Sequence, residues 1–282
     1  MYKIVRKKVL NPTVTLMEID APLVAAKAQP GQFIILRVDE NGERIPLTVA
    51  DFDREKGTVT IIFQIVGATT ELLNHKNEGE FIQDFVGPLG RATETEGKKK
   101  VAVVGGGVGC AIAYPVAKKL HESGCEVHSV VGFRNKDLVI LEDEFKAASD
   151  ILKVMTDDGS AGTKGLVTDA LKELIDAGNQ YDEVIAIGPI IMMKFVCKLT
   201  KEYGIKTVVS MNPIMIDGTG MCGGCRLTLN RDGKKVTKFA CVDGPDFNGY
   251  EVDFDEAMSR GRMYTDFERH AYDEACNLFK KA

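Results

Sequence analysis

The sequence predicts two units of different class: an all-β antiparallel barrel, then an α/β domain with a doubly wound parallel sheet. A small C-terminal segment follows. Three observations carry this reading. Residues 1–97 hold short β-branched runs bounded by Gly, Pro or Asn. Residues 98–211 alternate apolar strands with helical patterns. Residues 212–245 concentrate glycine and cysteine, and 246–282 carry the spacing of a terminal helix. A length of 282 residues accommodates two domains with such an appendage.

In chain order, Lys3–Leu10, Val14–Ile19, Gln32–Val38, Thr58–Gln64 and Glu80–Val86 read as strands. Their number and spacing suit a small barrel. The polar run Glu94-Thr95-Glu96-Gly97-Lys98 marks the boundary. Beyond it, strands are expected at Val101–Val104, Glu126–Val131, Lys153–Thr156, Glu183–Ile187 and Lys206–Met211. Helices are expected at Ala111–Glu122, Glu142–Ala148, Val167–Ala177 and Met192–Tyr203. Alternation of this kind builds a parallel sheet covered by helices on both faces. In the tail, Met263, Phe267, Ala271, Ala275 and Leu278 recur at helical spacing, as a helix that packs back or docks a partner.

Bulk properties exclude several classes. A net charge of −5 gives no electrostatic basis for nucleic acid as a partner, and the run Lys98–Lys100 reads as a solvated linker. No apolar run has the length of a membrane span, and Met1–Val5 opens a strand rather than a secretory signal. Seven cysteines, an odd number, point to a reducing cytoplasm and to metal ligation rather than a disulfide framework. Cys110, Cys125, Cys197 and Cys276 fall in apolar or helical settings and read as core.

The other three cysteines form a motif. Asp217, Cys222, Cys225 and Cys241 are spaced D-x4-C-x2-C-x15-C. This is the plant-type ferredoxin spacing for a [2Fe–2S] cluster, with aspartate in the first cysteine's place. Gly218, Gly220, Gly223 and Gly224 lie where a loop must wrap tightly around inorganic sulfide. A zinc knuckle also uses C-x2-C, but no second such pair follows and no histidine is near. A glycine-rich turn holding buried thiols is the third possibility.

Gly105-Gly106-Gly107-Val108-Gly109 follows a strand and opens a helix, the setting of a pyrophosphate-binding turn. Cys110 replaces the third glycine of the usual fingerprint, and Val131-Gly132-Phe133-Arg134 lacks the acidic residue that takes a ribose hydroxyl. Ile187-Gly188-Pro189-Ile190-Ile191-Met192-Met193 repeats the strand-to-helix setting at the same sheet edge. Asp157, just past the strand Lys153–Thr156, joins this group of candidates.

With these motifs in order, the chain resembles the ferredoxin–NADP reductase superfamily along nearly its whole length. Arg44-Ile45-Pro46-Leu47-Thr48 is similar to its flavin motif R-x-x-[ST], expanded by one residue, on a barrel strand. Val66-Gly67-Ala68-Thr69-Thr70-Glu71-Leu72 is similar to the second flavin segment, with Thr69 in place of a smaller residue. Gly188–Met192 is similar to C-G-P-x-x-M, with Ile187 for the cysteine, which puts any thiol-assisted step in doubt. The resemblance implies that Arg44, Pro46, Leu47, Thr48, Val66, Gly67, Thr69 and Thr70 hold FAD. It implies that Gly105–Gly109, Arg134, Gly188, Pro189 and Met192 hold NAD(H) or NADP(H) as substrate.

A cysteine segment after the nucleotide domain resembles two groups. One is the electron-transfer subunit of class 1B dihydroorotate dehydrogenase, with four cysteines. The other is the small subunit of electron-bifurcating, NADH-dependent reduced ferredoxin:NADP oxidoreductase, whose first ligand is aspartate. Asp217 favours the second. The resemblance then implies an oxidoreductase subunit passing electrons between NAD(H), FAD and the cluster. It further implies a heterodimer with a larger subunit carrying flavin and [4Fe–4S] clusters, through which ferredoxin is reached. Few acid or base residues are expected, and no residue is assigned as a catalytic proton donor. A redox-sensing or assembly module is the non-enzymatic alternative; it predicts no NADH-driven flavin reduction.

Overall fold

The computed structural model describes residues 1–279, with side chains described through residue 273. Strands β1 (Tyr2–Asn11) and β2 (Val14–Asp20) are followed by the short helix α1 (Pro22–Ala25). Then come β3 (Phe33–Arg37), β4 (Ile45–Asp53), β5 (Thr58–Gln64), helix α2 (Ala68–His75), β6 (Phe81–Ile82) and β7 (Asp84–Leu89). These strands form one antiparallel sheet in the order β6-β1-β2-β5-β4-β3-β7. Their inward residues, among them Ile4, Met17, Ile34, Leu36, Val49, Ile61, Phe63 and Phe85, fill the barrel. The run expected as one strand at Glu80–Val86 is split: β6 pairs with β1 and β7 with β3, at opposite ends of the sheet. That split lets one passage of chain serve both edges and curl the sheet toward closure.

The second sheet starts with β8 (Lys100–Gly106), a 3-10 turn (Gly107–Gly109) and helix α3 (Cys110–Glu122). It continues through β9 (Glu126–Phe133), α4 (Glu142–Ala147), β10 (Ile151–Thr156), β11 (Thr163–Lys164), α5 (Val167–Asp176), β12 (Glu183–Ile187), α6 (Ile190–Glu202) and β13 (Thr207–Ser210). Strands β8 and β12 are buried almost end to end, as central strands covered on both faces must be. From β8 the chain winds outward through β9, β10 and β11, then returns to β12 and winds the other way to β13. The order therefore switches between β8 and β12, and both candidate nucleotide turns lie at that point.

The C-terminal part differs from expectation. A hairpin, β14 (Arg226–Arg231) with β15 (Lys234–Phe239), leads through α7 (Ala240–Asp243) to β16 (Asp246–Asn248), α8 (Phe254–Arg260) and α9 (Thr265–Phe279). The hairpin turns on Asp232 and Gly233 at φ 50° and 74°, the left-handed pair of a type I′ turn. The span 246–282 is expected from its sequence as a terminal helix; its described part, residues 246–279, holds a strand and two helices. β16 adds antiparallel to β13, so the tail completes the second sheet rather than only capping it. Helix α9 packs back against α2 of the barrel. Ala275, Cys276 and Leu278 lie outside the described side chains.

Candidate functional site

Packing fixes the switch point. A Cβ on Gly109 would stand 2.6 Å from the Ile187 carbonyl oxygen and 2.7 Å from the Gly188 Cα. One on Gly188 would stand 3.1 Å from the Gly106 Cα, and one on Gly106 would stand 2.4 Å from the Met192 sulfur. Gly106, Gly109, Gly188 and Met192 thus hold the two turns together. A Cβ on Gly105 would come within 2.9 Å of the Cys110 sulfur, so Cys110 is core, and burial pushes its thiol up. Gly107 is different: its φ is +55° and nothing lies within 4 Å of a Cβ there. This open backbone, with Val108 and the start of the thirteen-residue α3, fits a pyrophosphate.

Arg134 and Asp157 follow neighbouring strands. The Asp157 amide donates to the Phe133 carbonyl at 3.1 Å, and both Arg134 and Asp157 are exposed at the carboxyl edge of the sheet. Pro189 caps α6 and packs toward Gly106.

In the barrel, Pro46, Leu47 and Thr48 lie on β4 opposite Ile35, Ile34 and Phe33 of β3. Thr70 fixes the start of α2: its hydroxyl accepts from the amides of Val66 and Gly67 at 3.0 Å each. Thr69 donates to Glu43 at 3.3 Å, which brings the α2 start beside the Arg44 segment. A helix start next to an arginine suits a phosphate group. The Arg44 Nε, however, donates to the Ile216 carbonyl at 2.9 Å, next to Asp217. No local pattern signals that contact, which spans 172 residues.

In the cysteine segment, the Asp217 carboxylate accepts from the amides of Thr219 and Cys222, each at 2.8 Å. The Thr219 amide, first, and that of Cys222 hold its carboxyl below the usual range. The sulfurs of Cys225 and Cys241 lie 3.2 Å apart and are buried, while Cys222 is exposed. Amide N–H groups already point at sulfur: Gly224 toward Cys222 and Cys241 toward Cys225, each at 3.5 Å. Burial pushes the Cys241 thiol up to about 12, a cost relieved when it ligates a cation as thiolate. Among the described residues, no three His, Cys, Asp or Glu side chains meet around one point as a single ion requires. A paired thiol set with amides aimed at sulfur fits a wider iron–sulfur group better than a zinc knuckle.

Comparison with known proteins identifies both parts. Residues 103–198 match the oxidoreductase NAD-binding domain, and residues 212–253 match the iron–sulfur cluster binding domain of dihydroorotate dehydrogenase B. A Thermotoga maritima protein, named a homolog of the dihydroorotate dehydrogenase B (NAD(+)) electron transfer subunit, is 49% identical over 273 residues. The match covers 97% of this chain and 95% of that protein. The chain belongs to this family of electron-transfer subunits and their homologs. The Desulforamulus reducens dihydroorotate dehydrogenase B electron transfer subunit is 32% identical over 254 residues, covering 89% of this chain and 96% of its own. A chain of the solved NADH-dependent reduced ferredoxin–NADP oxidoreductase, described for flavin-based electron bifurcation, superposes with TM-score 0.91 at 45% identity over 97% of each chain.

As a member of this family, the chain is an oxidoreductase subunit for electron transfer that works with a partner subunit. Its NAD-binding and iron–sulfur domains agree with the expected complement of NAD(H), an iron–sulfur cluster and FAD on the barrel. No helix among the described residues is long and apolar enough to cross a membrane. Sequence reasoning missed Glu43 and Arg91; the latter donates from Nε to the Val242 carbonyl at 3.0 Å. Both contacts bridge distant segments, and nothing local signals them.

Proposed function

We propose that this chain is the small subunit of a cytoplasmic, NADH-dependent reduced ferredoxin–NADP oxidoreductase, with Asp217, Cys222, Cys225 and Cys241 holding a [2Fe–2S] cluster. The observation that carries the choice is Asp217. It heads the cluster loop with an ionised carboxylate ordered by the loop's own amides, where a four-cysteine set would have thiolate. Carboxylate oxygen is an acceptable but harder iron ligand.

In this reading Arg44, Pro46, Leu47, Thr48, Val66, Gly67, Thr69 and Thr70 would hold the flavin, with Arg44 supplying positive charge for its pyrophosphate. Gly107 and the α3 amides take the nucleotide pyrophosphate, beside Gly105, Gly106, Val108, Gly109, Gly188, Pro189 and Met192. Arg134 and Asp157, exposed at the same sheet edge, would be available to its ribose. When bound, the flavin turns the electron pair of a hydride into single electrons that a one-electron cluster can pass on. The protein's own residues bind and orient; none is asked to move a proton.

The partner is a larger subunit carrying a second flavin and [4Fe–4S] clusters, since this chain has no further cysteine runs for them. Exposed Ile214, Ile216, Met221 and Val242 rim the loop and suit its docking. A second reading, the electron-transfer subunit of an NAD-linked dihydroorotate dehydrogenase, is favoured by the match over residues 212–253.

The test is to purify the chain alone and with its co-expressed partner. FAD, iron and acid-labile sulfide in the ratio of a [2Fe–2S] centre are expected, with NADH oxidation by artificial acceptors. Coupling of NADH, NADP and ferredoxin is expected only with the partner. Coupling by the single chain, or dihydroorotate oxidation by the complex, would overturn the reading.

A further inference from the structure

Two barrel arginines reach the cysteine segment from different strands. Arg44 precedes β4 and donates from Nε to the carbonyl of Ile216, the residue before Asp217. Arg91 follows β7 and donates from Nε to the carbonyl of Val242, the residue after Cys241. The Arg91 amide adds a bond to the Gly244 carbonyl at 2.7 Å. Between these points the loop rests directly on the barrel: a Cβ on Gly218 would stand 2.6 Å from Leu89 and 3.1 Å from Ile35. Phe33 and Ile35 share one buried cluster with Met215, Cys225 and Cys241.

We propose that Arg44 and Arg91 are positioning residues for electron transfer, a two-point clamp that seats the cluster loop on the strands bearing the flavin motif. The inference rests on the ligand and flavin assignments above. A guanidinium donating to a carbonyl makes a charge-assisted bond, stronger than a neutral one. Each such bond adjoins an outer ligand, so the pair fixes both ends of the ligand set relative to β3, β4 and β7. Electron transfer depends steeply on separation, so a loop that rocks on the barrel transfers more slowly than a seated one. The two positive charges also favour the more negative, reduced state of a centre beside them and raise its potential.

The experiment uses the full chain as purified with its cofactors. In Arg91→Met, amides of 217–225 and 241–244 should exchange hydrogen about tenfold faster. The cluster potential should fall, while flavin content holds at the wild-type level. Arg91→Lys keeps charge and one donor, and should recover most of the potential. Wild-type exchange and potential in Arg91→Met would overturn the clamp. Arg44→Met separates the two readings. Loss of flavin with an unmoved loop would support the flavin role of Arg44 and overturn its clamp. Retained flavin with a loosened loop would support the clamp and overturn the flavin role.

Discussion

At the switch point, Gly109 and Gly188 stand against Ile187 and Gly106 so closely that even one added carbon has no room. In the cluster loop, Gly220 and Gly223 instead supply left-handed backbone at φ 85° and 67°, and a Cβ on Gly223 would only touch Phe239 at 3.7 Å. Gly109 and Gly188 thus serve close packing between two turns, whereas Gly220 and Gly223 serve chain reversal. The nucleotide turns are set by the folded core before any ligand arrives. The cysteine loop is set by a few local hydrogen bonds and by its seat on the barrel, and its proposed ligand Cys222 stays exposed. This packing predicts that function and stability are coupled at the switch point and separable in the loop.

The strongest test of that contrast is Gly109→Val. Its φ of −58° suits any residue, so the whole effect is steric. Pushing the Ile187–Gly188 backbone away should cost about 3 kcal/mol, at the upper end for overpacking. Denaturant unfolding reads it directly. An unchanged midpoint would mean that the two turns move apart freely, and the contrast would break.

In the loop, Cys225→Ala and Cys241→Ala should each abolish the iron–sulfur centre, yet cost the iron-free chain only about 1 kcal/mol of stability for one small buried group. Asp217→Cys should keep the centre at a shifted potential, and Asp217→Ala should weaken it. Electron paramagnetic resonance of the reduced protein and unfolding of the iron-free chain measure the two halves. A collapse of the iron-free fold would show that the thiols are structural.

Gly107→Leu sharpens the comparison from the other side. It meets open space and strains only its own φ, at about 1–2 kcal/mol. It should block NADH-driven flavin bleaching in rapid mixing without displacing FAD. An unchanged bleaching rate would move the pyrophosphate elsewhere.

What the sequence made legible follows the same divide. Val101–Val104 and Glu183–Ile187 read as strands because burial on both faces demands unbroken apolar runs. β4 was less visible, since Pro46 and partly polar positions interrupt its pattern. The hairpin β14–β15 had a usable signal in Asp232-Gly233, masked by the charged residues around it. β16 had none: three residues gain strand identity only by pairing with β13. Spacing alone pointed to an iron–sulfur segment, which the family match over residues 212–253 supports, whereas the Arg44 and Arg91 contacts join segments 172 and 151 residues apart.

The smallest effect expected is a difference in how acid acts on the two regions. In the sheet, His128 is buried on β9, with Nδ1 2.8 Å from the Tyr181 hydroxyl and Nε2 3.0 Å from Glu126. Burial, then the Lys100 charge, lowers its pKa below 6.5, against the opposing pull of Glu126 and Asp150. The unfolded chain therefore binds the extra proton first. His128 leaves stability intact above pH 6.5 and withdraws it as pH falls from there toward the folded value. In the loop, Asp217 is held below 3.8 by the amides of Thr219 and Cys222, so its contribution persists until pH falls below that value. Between these windows the iron-free chain should lose global stability while the loop keeps its local order. Hydrogen exchange of β8 and β9 amides against those of 217–225, corrected for intrinsic rates, resolves the two. His128→Gln should flatten the first dependence and leave the second. If the loop loosened first, near pH 6, its order would depend on the sheet, and the two regions would not be separable in the way their packing implies.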